Sequence, residues 1–290
     1  MAILSTSSSQ TVLRPGNRVF NDKLVGTTPF VGPLDAYTTG LQAMLLPFRG
    51  LTSYTGDCFT IRDTNDDSTQ DVGFAANGDC NPFTTVGNAA MATWYNQLGT
   101  NNASAPSNVT QPFVIQNVIN GLPVVRMDGV DDYYAATIAN GVYTRSIYIV
   151  TRKRSAQTGS ITTYASGLGS TSSIILGDSS VLALAGGWGY RASGISTTKA
   201  LGGDVQTSSL ITIIGIDAFN GNIYVNNGAA TAFDPTAGFN TSTSATTNVI
   251  GSSGADVDVM AQLCYNATHD DTTRQMIQTI LATKFGITLA

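Results

Sequence analysis

The chain contains no glutamate: all 19 acidic residues among its 290 positions are aspartates. That absence removes the commonest catalytic carboxyl of sugar-cleaving enzymes and the bidentate last ligand of an EF-hand loop. There is a single histidine, His269, so one chain cannot build a multi-histidine metal centre. Charge is scarce, at 11% of residues against about 25% in an average globular protein. No apolar run approaches the roughly 18 residues of a membrane-spanning helix. The three cysteines, Cys58, Cys80 and Cys264, include no CxxC pair, which argues against a zinc site and against a disulfide framework. Two readings of them stay open: a Cys58–Cys80 bridge across a hairpin, or three small buried apolar residues. Residues Met1 to Gln10 lack the charged and apolar regions of a signal peptide, so synthesis in a cytoplasm is expected.

What is present suits a large β-rich core. Hydrophobic residues make up 42% of the chain, and an all-β chain of this length can form one domain. Solubility must rest mainly on hydroxyls and amides. The net charge of −5 gives no basic face for duplex nucleic acid. No GxxxxGK[ST] pattern supports nucleotide binding.

Residues 1–33 have no sustained hydrophobic period and carry Pro15, Pro29 and Pro33. Two readings stay open: a frayed terminus, or an N-terminal arm that anchors the protein to another subunit, with Arg14, Val19, Phe20 and Phe30 as candidate anchoring residues. Residues 34–290 form the main domain. Leu34, Tyr37, Leu41, Met44 and Leu45 have helical spacing, and Pro47 stops the run. Strands are expected at 146–151, 161–164, 173–176, 181–185, 210–216, 222–225 and 257–265, with Asn-Gly turns at Asn220–Gly221 and Asn227–Gly228. The segment from Asp270 to Phe285 reads as a capped helix ended by Gly286, with Met276, Ile277, Ile280, Leu281 and Phe285 as its inward stripe and Arg274, Gln275, Gln278 and Lys284 nearer water. Many short strands and one closing helix point to a β-sandwich or jelly roll.

Four blocks occur in a suggestive order: LTSYTG at 51–56 with QDVGF at 70–74, ATWYNQLGTNNA at 92–103, GLPVVRMDGVDDY at 121–133, and a C-terminal LATKFGI. Together they resemble the concanavalin A-like, laminin G-like jelly rolls common in bacteriophage structural and tail proteins. The first two blocks are also similar to the catalytic domain of fungal arabinofuranosidases. The resemblance implies a concanavalin A-like jelly-roll sandwich and a non-enzymatic virion protein. That protein would be a head decoration, head fibre or tail appendage, located in the virion. Its partners would be capsid or tail proteins and host-surface glycans, in a homo-oligomer such as a trimer, with no nucleic acid bound and no membrane span. The alternatives are a glycoside hydrolase of arabinofuranosidase-like type and a pure capsid cement protein without ligand. Two departures count against the hydrolase: Asn96 stands where the family block has aspartate, and the glutamate nucleophile of the arabinofuranosidases has no counterpart. If two aspartates did that chemistry, the candidates are Asp131, Asp132, Asp256 and Asp258.

Other candidates are surface features. Trp188, Tyr190 and Arg191, in a glycine-rich stretch expected to be a loop, and Trp94 with Tyr95 are aromatic pairs suited to glycan or partner contact, Trp188 the better candidate because Trp94, inside the family block, reads rather as core. Asp63, Asn65 and Asp67 offer the alternating oxygens of a weak calcium site, although the segment equally suits a polar hairpin tip. The turn Asp128 to Asp132 reads the same way. No other cofactor is indicated, and Arg152-Lys153-Arg154 is a basic strand end.

Overall fold

β-branched runs punctuated by glycine and asparagine divide the chain into short extended segments. In the computed structural model the described residues are 29–138, 146–154, 159–166, 170–176, 188–191, 199–201, 212–217, 221–232, 246–250 and 256–290. They hold β1 (Leu41–Leu45), β2 (Phe59–Asp63), β3 (Thr69–Val72), β4 (Ala89–Trp94), β5 (Ala103–Ser104) and β6 (Phe113–Ile119). Next come β7 (Leu122–Arg126), β8 (Tyr134–Ile138), β9 (Ser146–Lys153), β10 (Gly159–Ser166), β11 (Ser170–Leu176) and β12 (Trp188–Arg191). The last are β13 (Lys199–Leu201), β14 (Thr212–Asp217), β15 (Asn222–Val225), β16 (Thr231–Ala232), β17 (Thr246–Ile250), β18 (Val257–Tyr265) and the helix α1 (Asp271–Phe285).

Every strand pairing is antiparallel, and together the pairings make an all-β sandwich. One layer runs β1–β18–β9–β14–β15–β16. The other runs β3–β2–β4–β5–β8–β17–β10–β11–β12–β13. The β6–β7 hairpin links the two, pairing with β4 on one side and β18 on the other.

Alternation along the strands of the first layer sends neighbouring side chains to different cores. Leu45, Ile147 and Ile149 meet Phe59, Ile61, Trp94 and Tyr134 between the layers. Met44, Leu46, Tyr148, Val150, Ile213 and Met260 face the other way and are covered by Ile277, Leu281 and Phe285 of α1. All nine residues of β18 are therefore buried.

Two expectations need correction. The helical spacing at 34–46 does not make an α-helix: Asp35–Tyr37 is one turn of 3-10 helix, and Leu41–Leu45 is β1. A strand buried on both faces loses its period of two, and its apolar run imitates a helix. The helix α1 is where it was expected, with the Asp270 carboxylate accepting the Thr273 N–H at 2.8 Å and Gly286 closing it at φ 65°. Its buried face, however, is Arg274, Ile277, Gln278, Leu281, Ala282 and Phe285, while Met276 is 45% exposed. The rotation follows from Gly215 of β14, where the Gln278 amide lies so close that any Cβ would collide with it.

The arm residues Arg14, Val19 and Phe20 and the strand expected at 181–185 lie outside the described residues. Phe30 packs on its own domain: the Arg49 guanidinium sits 4.0 Å from its ring centroid. The three cysteines are free thiols, Cys58 and Cys264 buried.

Leu281→Ala removes a fully buried side chain under the sheet and is expected to lower stability by about 2–5 kcal/mol. Met276→Ala is expected to change it by no more than about 0.5 kcal/mol, as an exposed position should. Denaturant unfolding of both variants checks which helix face is inward.

Candidate functional site

The loop from β7 to β8 gathers carboxylates. Asp132 stands two residues before Tyr134, the first residue of β8, whose ring packs in the core 5.8 Å from Trp94, and Asp132 is itself only 5% exposed. Gly129, at φ 80°, lets the chain turn back. Asp128 caps the turn, its Oδ1 accepting the Val130 N–H at 2.7 Å, and the Asp128 N–H donates to Asp132 Oδ2 at 3.0 Å. One oxygen from each of Asp128, Asp131 and Asp132 lies within 4.8 Å of the others, with Asp128 and Asp131 exposed. Burial, with the Asp128 charge adding to it, pushes the Asp132 carboxyl up to about 7. A buried acid that is protonated near neutrality beside two open carboxylates can donate a proton and offer a nucleophile. The same oxygens can also face a cation.

The other candidate pair is a structural network. Asp258 is fully buried and sits opposite Arg126 of β7 and Arg152 of β9 in the strand register. Arg126 donates to it through Nε at 2.7 Å and Nη2 at 3.1 Å, and Arg152 through Nε and Nη2. Asp256 pairs with Arg154 at 2.8 Å. These bonds engage the Asp256 and Asp258 carboxylates, which sets the pair apart from Asp131 and Asp132. They also place Arg152 and Arg154 of the basic run in ion pairs, beyond the solvated strand end its sequence suggests.

The calcium reading of the 63–67 segment does not survive the geometry. Asp63 is buried and accepts the backbone N–H groups of Asn65, Val86 and Gly87 at 2.8, 2.6 and 2.9 Å. The Asn65 bond, then those of Val86 and Gly87, hold its carboxyl below the usual range. Asp67 pairs with Arg62 at 2.5 Å. The segment is a cross-braced turn, and among the described residues the acidic groups that converge are 128, 131 and 132 instead.

Trp94 is a core residue with no exposure, packed at 5.3 Å between ring centroids against Phe59, so it is no contact surface. Tyr95 is half-buried, its hydroxyl 2.9 Å from Thr60 Oγ1. Trp188, Tyr190 and Arg191 form strand β12, paired with β11 and β13, where a loop was expected. Asn96 is buried and its Oδ1 accepts the Met44 N–H at 2.9 Å, while Gln97 binds the Gly50 N–H and the Phe48 carbonyl, both at 2.7 Å. That block is a clamp on the segment from β1 to Gly50. His269 is held at 2.7 Å by the Tyr148 hydroxyl and packs against Tyr265, away from any carboxylate pair described above. The sequence left unseen the special standing of Asp132; the signal was there in the GVDDY string, where the second aspartate stands two residues before Tyr134.

No family model matches the chain, and no curated protein does. Solved structures do. An arabinofuranosidase complexed with arabinofuranosyl-alpha-1,2-xylobiose superposes with a TM-score of 0.62 at 17% identity, over 88% of this chain and 65% of that one. A GH54 α-L-arabinofuranosidase variant with a glutamate changed to glutamine, soaked with 4-nitrophenyl α-L-arabinofuranoside, gives 0.58 at 17% identity, over 88% and 66%. A Trypanosoma rangeli sialidase is looser, at 0.48 and 13% identity over 68% and 32%, and carries no argument. The fold is thus the β-sandwich of the arabinofuranosidases, and the chain spans 65–66% of their length. This corrects the expectation of a non-enzymatic bacteriophage virion protein: the matching fold is that of arabinofuranosidases, and neither of those two structures is a virion protein.

Asp258→Ala strands two guanidinium groups around a buried hole and is expected to lower stability by about 3–5 kcal/mol; urea unfolding measures it. Asp132 gives the opposite sign. Its folded pKa lies above its unfolded one, so its contribution is fully present below about pH 4 and is lost as pH rises towards 7. Asp132→Asn, which stays neutral, is expected to melt near the wild-type temperature at pH 4 and above it at pH 8.

Proposed function

We propose that this chain is a glycoside hydrolase of arabinofuranosidase-like type. The observation that carries the reading is the buried Asp132 carboxyl, raised to about 7, within 4.8 Å of the Asp128 and Asp131 oxygens. The arabinofuranosidase fold supports the substrate class, a saccharide bearing arabinofuranosyl groups. With no glutamate available, both roles fall to aspartates.

Asp132 is the acid. Its proton goes to the glycosidic oxygen as the bond to the anomeric carbon breaks. Asp131 is the nucleophile: its carboxylate is exposed, whereas an oxygen of Asp128 is taken up by the turn. The close spacing suits a retaining reaction, in which carboxyl groups about 5–5.5 Å apart form and then hydrolyse a glycosyl–enzyme ester. In the second step water attacks the anomeric carbon and returns its proton to Asp132.

The test uses two leaving groups. Asp131→Asn is expected to abolish turnover of both arabinofuranosyl-xylobiose and 4-nitrophenyl arabinofuranoside. Asp132→Asn should lower turnover of the oligosaccharide by about 100-fold or more, yet spare the first-turnover burst of nitrophenol, because that leaving group departs without a proton. Wild-type turnover of the oligosaccharide should fall as pH rises through about 7, where the acid loses its proton. Absence of wild-type turnover on both substrates, or activity untouched by either substitution, overturns the reading.

A further inference from the structure

A cavity of about 480 Å³ opens between the turn that follows β15 and the first turn of α1, built from other residues than the carboxylate cluster. Small-molecule sites span about 300–1,000 Å³. Its inner wall is fixed. Arg274 is only 7% exposed, and its guanidinium carbon lies 3.7 Å from the centre of the Tyr224 ring. Its Nη1 donates to Asn227 Oδ1 at 2.7 Å, and its Nε and Nη2 to Asp271 Oδ1 at 3.3 and 3.2 Å. A guanidinium carries five N–H groups in a rigid fork. Among the described residues these three bonds leave one N–H on each terminal nitrogen, on a side chain that lines the cavity and is more than nine-tenths buried.

The rest of the lining says what would fit. Asp271 is 77% exposed along its side chain and is bonded here through Oδ1 alone, and the Gln275 amide is open. Among the lining side chains one carboxylate and one guanidinium cancel, which disfavours a strongly charged ligand. Hydroxyl groups can donate to the carboxylate and accept from the fork, while the small Ala229 wall leaves room for an apolar C–H face. The helix end itself is already capped by Asp270, so the contacts on offer are side-chain ones.

We propose that this cleft is a saccharide-binding subsite, separate from the carboxylate cluster, that takes one neutral sugar unit. It rests on the hydrolase reading for the class of ligand alone. The Arg274 fork and the Gln275 amide hold sugar hydroxyls, and Asp271 accepts from them.

Full-length Asp131→Asn, which cannot turn over the probe, is titrated calorimetrically with arabinofuranosyl-xylobiose. Adding Ala229→Trp, which fills the cavity from an exposed position, is expected to weaken one class of binding by about tenfold or more, and Gln275→Ala to weaken the same class. Neither substitution alone should change wild-type turnover of 4-nitrophenyl arabinofuranoside. Identical isotherms for the parent and both added variants, or no binding of the probe at all, overturn the subsite. A wild type that hydrolyses nothing while Ala229-sensitive binding persists overturns the hydrolase reading and leaves the subsite standing.

Discussion

The double-sided burial of one sheet layer organises this molecule. β18 runs through its middle with all nine residues inaccessible, one face towards the second layer and the other beneath α1. A strand in that position has no solvent-facing side on which to place polar groups, so any charge it carries must be neutralised in place. Asp258 shows the consequence. It can be buried there because the register brings Arg126 and Arg152 alongside from both neighbouring strands. The helix is under the same constraint: Gln278 reaches the sheet only where Gly215 has no side chain.

That constraint also decides what could be read from the sequence. β15 and β18 were expected at the residues where they occur, because Asn-Gly turns and β-branched runs are local signals. The Asp270 cap and the Gly286 stop of α1 are equally local. β1 misled because a strand packed on both faces shows a continuous apolar run instead of alternation, and Leu41, Met44 and Leu45 then fell on a helical template. The helix face misled for a related reason. Hydrophobicity alone picks out the stripe with Met276, whereas packing over a glycine draws in Arg274 and Gln278 and leaves Met276 outside. Trp94 is core, as its place inside the family block suggests, although its partners Phe59 and Tyr134 are far away in sequence.

The candidate site was half legible for the same reason. Asp131, Asp132, Asp256 and Asp258 are indistinguishable in one dimension. Cross-strand register separates them, since two of the four meet arginines and the other two lie in a turn of carboxylates. Asp132 is also near its own resolution in sequence: it stands two residues before a core tyrosine. The distance between carboxylates could not be read, because it depends on how the left-handed Gly129 folds the loop back.

The absence of glutamate gives that loop its physical meaning. Aspartate is one methylene shorter, so its carboxyl cannot reach out from a strand and must be carried to its place by the backbone. A tight turn between two strands does this, holding Asp128, Asp131 and Asp132 within five residues. Such crowding raises the free energy of the folded state, because a buried acid beside like charge resists ionisation. The same resistance keeps its proton available near neutral pH. The sandwich can sustain an unfavourable loop because the loop's ends are anchored in the core, by Met127 bonded to the Val257 carbonyl and by Tyr134 packed on Trp94. The core on either side of the turn thus holds in place a carboxyl group that would otherwise move towards water and ionise.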